Sequence, residues 1–342
     1  MLCSATVTGV PELVIRPVDP HDNTDMEGFQ RVYAEAERAE DPEVGLYSRA
    51  DAIAMLTSED ESSLFDGFAG FMDGDMVGET ILMGSNRDNL AVAQLLIWVD
   101  PAHQRRGYGG RMLAHAEHHA SSLTRTVLRV QARVGGVLDR NRRFADRHGY
   151  SLAMTEIERR LSLPAESALL DRLAADAATC HGHYEIRTLI GRVPPDLRAS
   201  YVELDNLLQT EMPHGDLELE AARKTVEDLE TFEQEQERAG RIRVSAFAVR
   251  DGVVAAYTDA SLAGGATSHV DQYGTLVHPD HRGHRLGMAV KCAQLRVLSE
   301  SFPDRTYVQT TNAETNAHMV AINEALGFAV HQVWGEFEKR LA

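Results

Sequence analysis

Apolar and polar residues alternate along several short stretches of the chain. Leu13-Val14-Ile15-Arg16 and Tyr184-Glu185-Ile186-Arg187 have the period-two pattern of a strand with one covered face. Residues 64–71 and 76–83 are apolar-rich runs separated by Asp73-Gly74-Asp75, and 243–249 and 253–260 flank Asp251-Gly252 in the same way. Each pair predicts a hairpin, because an Asp-Gly turn matches the twist of paired strands. Residues 94–99 read as a further strand and 110–120 as a helix behind it, while 164–180 places Ala and Leu at helical spacing. The order strand, helices, strands, turn, helix, strand, helix, strand occurs twice and predicts an α/β (α+β) sandwich around a mixed sheet.

The doubling is visible residue by residue. Val99-Asp100-Pro101, Gln104-Arg105-Arg106-Gly107-Tyr108-Gly109 and Gly149-Tyr150 are answered by Val277-His278-Pro279, Arg282-Gly283-His284-Arg285-Leu286-Gly287 and Gly327-Phe328, at a constant offset of 178 residues. The opening strands are offset by 171, so the second copy carries seven extra residues ahead of its motif. A chain of 342 residues suits two domains, since single domains run to roughly 100–200 residues. The expected organisation is a first domain over 1–160, a connecting helical segment over 161–183 and a second domain over 184–342.

Composition narrows the partners. Apolar residues at 43% and charged residues at 25% are ordinary for a globular protein, and no run of about 18 apolar residues is present to span a bilayer. Residues 1–10 lack the basic and apolar regions of a secretion signal, and Cys3, Cys180 and Cys292 have neither disulfide-framework nor zinc spacing. A cytoplasmic protein without membrane partners is expected. The net charge of −18 disfavours a phosphate backbone as partner and suits a cationic one, although it also serves solubility alone. His115, His118 and His119 share a helix, and His278, His281 and His284 surround the second motif, but no further ligands lie near either group and no metal is expected.

A strand ending at Val99, a turn at Pro101 and a glycine-containing loop opening a helix present backbone N–H groups without internal partners. The helix dipole adds positive potential there, so phosphate oxygens are favoured ligands; Gly107 and Gly109 admit close approach, and Arg105 and Arg106 supply charge. Neither copy has the spacing of a dinucleotide fingerprint or a P-loop. Instead, Gln/Arg-x-x-Gly-x-Gly after Val-x-Pro, followed by the late Gly-Tyr and Gly-Phe pairs, resembles motif A and its sequel in the GNAT superfamily of acyl-CoA N-acyltransferases. The resemblance covers nearly the whole chain and implies two consecutive GNAT domains, each a mixed, mostly antiparallel twisted sheet flanked by helices. The tandem arrangement is similar to that of mycothiol synthase and related actinobacterial acetyltransferases, in which one half catalyses and the other is degenerate.

The resemblance also implies roles. Gln104, Arg105, Arg106, Gly107, Tyr108, Gly109 and Gly110 would cradle the diphosphate of acetyl-CoA, with Ile97, Trp98 and Val99 along its pantetheine arm. Leu276, Val277, Arg282, Gly283, His284, Arg285, Leu286 and Gly287 would do so in the second copy, joined by Asn312 and Asn316, the latter also a candidate helix cap. One position departs from the motif: the central glycine, Gly107 in the first copy, is Arg285 in the second. A side chain there obstructs the loop if φ must be positive, or binds a phosphate if it points outward.

Acetyl transfer to an amine needs a neutral nitrogen, and the family's carboxylate for this purpose falls at Ala93 in the first copy and Asp271 in the second. Asp271 is therefore the expected base, a strand-end aspartate being its plainer reading. The family's proton-donating tyrosine falls at Ala145 and Asn323, which leaves Tyr273, His281 or a water. Glu211, His214 and Asp216 interrupt a helical pattern where an acceptor pocket is expected, although Pro, Gly and Asp also make an ordinary turn. Residues 227–237 read as an acidic solvated helix face. The expected activity is acetyl transfer from acetyl-CoA to a primary amine of a small molecule, catalysed in the second half. A protein or peptide N-acetyltransferase and a non-catalytic acyl-CoA-binding protein are the alternatives, and a monomer or homodimer is expected.

Overall fold

A computed structural model describes residues 12–58, 60–211, 223–263 and 268–341, without the side chains of 209 and 210. Packing divides the chain into two compact units, one of residues 1–130 with 339–342 and one of residues 131–338.

The first unit runs β1 (Val14–Pro17), α1 (Asn23–Glu40), α2 (Arg49–Leu56), β2 (Ser63–Met72), β3 (Asp75–Ser85), β4 (Val92–Val99), α3 (Tyr108–Ser122) and the start of β5 (Val127–Val134). Its strands lie in the order β1-β2-β3-β4-β5, antiparallel except for β4 with β5. Asp22 starts α1 by accepting the N–H groups of Thr24 and Asp25, and Ser48 with Asp51 forms a capping box on α2. Neighbouring residues of β3 face opposite ways: Met76 packs with Met26, Phe29 and Val32 of α1, and Val77 with Met112 of α3. Asp73 and Gly74 both take positive φ, 51° and 92°, as the two-residue turn predicted from the sequence requires.

β3 also buries Glu79 completely, with no hydrogen-bond partner for either carboxylate oxygen among the described residues. Burial pushes this carboxyl group well above its ordinary value of 4.5, against the pull of Arg31, so the folded chain keeps a proton that the unfolded chain releases. Its contribution to stability is therefore fully present below pH 4.5 and is lost as the pH rises. Glu79→Gln is expected to stabilise the protein at pH 7 by about 1–3 kcal/mol in urea unfolding and to lose that advantage in acid. A gain independent of pH would show that Glu79 is ionised in the folded state.

The second unit contains α4 (Asp139–Arg147), β6 (Ser151–Ser162), α5 (Ser167–Ala178), β7 (Glu185–Ile190), α6 (Pro195–Glu211), α7 (Val226–Arg238), β8 (Ile242–Arg250) and β9 (Val253–Leu262). It continues with β10 (His269–Val277), α8 (Leu286–Ser301), β11 (Tyr307–Ala313), α9 (Ala317–Ala325) and β12 (Ala329–Arg340) as far as residue 338. The strand order is β12-β6-β11-β10-β9-β8-β7, antiparallel except for β10 with β11. β6 closes the first sequence repeat yet lies between β11 and β12, so repeat boundary and packing boundary differ. Leu161 of β6 and Leu170 of α5 are buried in one apolar cluster with Val308, Leu295 and Phe328. The segment expected as a linker thus contributes a packed helix. α7 is not solvated along its whole acidic length: Glu233 is buried, accepts the Val193 N–H at 2.7 Å and lies 3.5 Å from Arg243.

Candidate functional site

The two motif loops have the same backbone. A short 3-10 turn, Pro101–His103 or Pro279–His281, follows the strand, and positive φ then recurs at two alternate positions. In the first loop these are Arg105 (63°) and Gly107 (87°), and in the second Gly283 (83°) and Arg285 (53°). Each loop thus supplies one glycine and one arginine to the left-handed region, at exchanged positions. Arg285 accordingly sits in the conformation that disfavours a side chain, and it does so by pointing away, into an ion pair with Asp176 of α5. α3 and α8 both begin without a side-chain cap, and a Cβ on Gly107 or Gly283 would meet nothing within 4 Å. Bare amides and open space fit a diphosphate at either helix start. The loops differ in charge: Arg282 is paired with Glu211 and Arg285 with Asp176, whereas among the described residues Arg105 and Arg106 have no ion pair. Both pairs of the second loop are largely exposed, and such pairs are worth about 0–1 kcal/mol, too little to bar an anion.

Upstream of each loop the two parallel strands part. β4 pairs with β5 only from Val92 to Leu95, leaving the stretch from Leu96 to Val99 unpaired on that side, and β10 pairs with β11 only from His269 to Asp271. The fork leaves N–H and C=O groups of the strand free to bond an extended ligand. The two forks differ in one respect. β3 and β4 keep an unbroken register, whereas β10 carries a bulge in which Tyr273 and Gly274 together face Asp259 of β9. A bulge breaks the hydrogen-bond ladder and re-aims the groups beside it.

Asp271 stands where β10 and β11 part. Its carboxylate accepts from Arg241 at 3.0 Å and Gln309 at 2.8 Å, and His269 lies 3.5 Å away. Burial raises its pKa, but His269, Gln309 and Arg241 outweigh burial and hold it below the ordinary carboxylate value. A buried carboxylate held this way suits an anchor of the fork rather than the expected base, whose pKa should lie nearer neutrality. Tyr273, two residues on in the bulge, is 48% exposed. Burial of its hydroxyl end, beside Arg241, Asp271 and Ser261, pushes the phenol above its ordinary value, so it keeps its proton at neutral pH.

Residues 65–152 match the acetyltransferase (GNAT) domain family. Over 96% of its length the chain superimposes, with a TM-score of 0.80 and 26% identity, on 98% of a tandem GNAT protein from the clavulanic acid biosynthesis pathway, solved without acetyl-CoA. The chain has the tandem GNAT fold. A GCN5-related N-acetyltransferase from Sphaerobacter thermophilus shares the fold at 14% identity and a TM-score of 0.66, over 96% of this chain and 95% of that one. A comparison with the curated proteins finds no match. The domain match and the tandem likeness support acyl-CoA-dependent acetyl transfer as the coarse activity.

The remaining expected residues are distributed as follows. Asn316 caps α9 by accepting the Met319 N–H at 3.3 Å, and Asn312 accepts a bond from Asn323 at 2.8 Å, tying β11 to α9. His281 bonds the Tyr184 hydroxyl at 2.9 Å, and burial pushes it below its ordinary value, so it is neutral at pH 7. Glu211 ends α6 and holds Arg282; His214 and Asp216 lie outside the described residues. The sequence reading missed Gly274 and Arg241. Gly274 had a signal, since an isolated glycine inside a strand pattern marks a bulge or a close approach. Arg241 had none, because its partner is thirty residues away in sequence.

Proposed function

We propose that this protein is an acetyl-CoA-dependent N-acetyltransferase acting on a primary amine of a small molecule, with the chemistry in the second unit. The observation that carries the choice of unit is the bulge at Tyr273 and Gly274, found where β10 leaves β11 and without counterpart in β4. Acetyl-CoA supplies the activated acetyl group as a thioester. The loop at Gly283 and the first turn of α8 would bind its diphosphate, and the unpaired end of β10, through Leu276 and Val277, would align the pantetheine arm. Attack forms the nitrogen–carbon bond and breaks the carbon–sulfur bond. A primary ammonium sheds two protons and the departing sulfur takes up one, here from Tyr273, so each turnover releases one net proton. Asp271 and Arg241 keep the fork open. The first unit has a comparable loop and fork, with Arg105 and Arg106 in no ion pair among the described residues, and is assigned the holding of a second acetyl-CoA.

Calorimetry with acetyl-CoA and thiol release over a panel of amines test this reading. Gly283→Asp places a negative charge against the diphosphate and should lower thiol release by about 100-fold or more, whereas Gly107→Asp should remove one equivalent of bound acetyl-CoA. Thiol release that survives Gly283→Asp and vanishes with Gly107→Asp would move the chemistry to the first unit. Bound acetyl-CoA with no thiol released for any amine would favour a binding protein.

A further inference from the structure

Gly274 is where the bulge meets α6. A Cβ built on it would stand 2.8 Å from Leu208 Cδ2 and 2.9 Å from Tyr257 Oη, so only glycine lets this hydroxyl approach the bulged backbone. Tyr257 is 1% exposed and donates to Asp205 Oδ1 on α6 at 2.6 Å. The other oxygen, Oδ2, accepts from Lys224 Nζ at 2.8 Å. Asn206 fixes the backbone of the same lysine twice, accepting its N–H at 2.8 Å and donating to its carbonyl at 2.9 Å. The Asp205 side chain is 13% exposed and that of Lys224 55%. A carboxylate set into the surface therefore carries a buried hydroxyl, leading to the bulge, on one oxygen and a solvent-facing primary ammonium on the other.

We propose that the Asp205 carboxylate is the seat of the acceptor's ammonium group and that Lys224 fills the seat until a primary alkylammonium displaces it. This rests on the reading that the second unit transfers an acyl group at the bulge. Three observations converge on it. The lysine ε-ammonium is itself a primary alkylammonium on a four-carbon stem, so its presence shows that the seat accepts that group and that geometry. The hydroxyl between seat and bulge is fixed as a donor to Asp205, because burial keeps the Tyr257 phenol protonated. Asp205 therefore remains oriented with Oδ2 outward whichever cation holds it. Finally, the pair that must break is exposed on the lysine side, and such pairs are weak enough for a small ligand to compete with. Asp205 and Tyr257 act here as binding and positioning groups. Specificity follows from charge and chain shape: a primary ammonium on an unbranched stem fits the place that Lys224 occupies, and a neutral alcohol of equal length lacks the charge.

The test uses the full chain and n-butylamine, which is protonated at neutral pH, with 1-butanol as the uncharged control. Binding is read by calorimetry at concentrations up to about 100 mM, which covers the millimolar affinities a single charged contact supplies. Lys224→Met vacates the seat without touching the interior and should bind n-butylammonium about three- to five-fold more tightly than the unaltered protein. Asp205→Asn should bind it about tenfold more weakly than Lys224→Met, and 1-butanol should bind to none of them. Should Asp205→Asn fail to fold, the comparison of Lys224→Met with the unaltered protein still decides. Equal affinity in those two, or no binding by Lys224→Met, overturns the proposal. Thiol release from acetyl-CoA is measured separately on the same proteins. Amine binding with no thiol release would sink the transferase reading and leave the seat standing, while thiol release with no effect of Lys224→Met on amine affinity would do the reverse.

Discussion

Replacing Lys291 by methionine raises the stability of the protein at neutral pH by roughly 2–4 kcal/mol, and the gain shrinks as the pH rises. Lys291 lies on α8, is 1% exposed and, among the described residues, has no ion pair or hydrogen bond; its ammonium stands 5.3 Å from the centre of the Phe328 ring. Burial alone pulls its pKa from 10.5 down to about 7. A depressed lysine pKa means that the unfolded chain binds a proton more tightly than the folded one. Below pH 7 both states are protonated and the folded chain bears the full cost of a buried charge. Between about 7 and 10.5 only the unfolded chain keeps the proton, so stability rises with pH across that window. Methionine fills similar space without a titrating group. Urea unfolding of both proteins at neutral pH and again near 10.5 checks this, and a stability gap that does not narrow would show that the ammonium finds a partner in the folded chain.

Lys291 also marks how far the sequence could be read. Elements set by local rules were legible: both Asp-Gly turns formed with two positive φ values, and the 178-residue repeat correctly aligned the ends of β4 and β10 and the starts of α3 and α8. Both late glycines, Gly149 and Gly327, likewise close their helices with positive φ. What escaped was set by contacts distant in sequence. The lone lysine in Gly287-Met288-Ala289-Val290-Lys291-Cys292-Ala293 looks like a solvated helix position until α8 is seen to be covered on several sides. The insertion of β6 between β11 and β12 leaves no mark on β6 itself, because an alternating strand has the same pattern whichever neighbours it pairs with. The loops were found because a glycine-containing turn from strand to helix is written in local backbone. The surroundings of Asp271 were not, because Arg241 and Gln309 reach it from two other segments.

Those surroundings make the second large prediction. Asp271→Asn and Arg241→Met each leave one charge of a buried pair without its counter-charge, and each should cost about 3–5 kcal/mol in unfolding free energy. The double variant removes both charges while asparagine retains a partner for Gln309, so its cost should fall well below the sum of the two, with a coupling of roughly 2 kcal/mol. The same double variant separates two roles that the single changes confuse. If Asp271 anchors the fork, restoring the balance of charge restores the geometry of β10, and thiol release should return to within about tenfold of the unaltered protein. If Asp271 takes the amine's proton, the double variant should be stable yet remain depressed by about 100-fold or more, since asparagine cannot accept that proton. The depressed pKa and the two occupied oxygens favour the first outcome, because a carboxylate stabilised in its charged form gains little by accepting a proton at neutral pH.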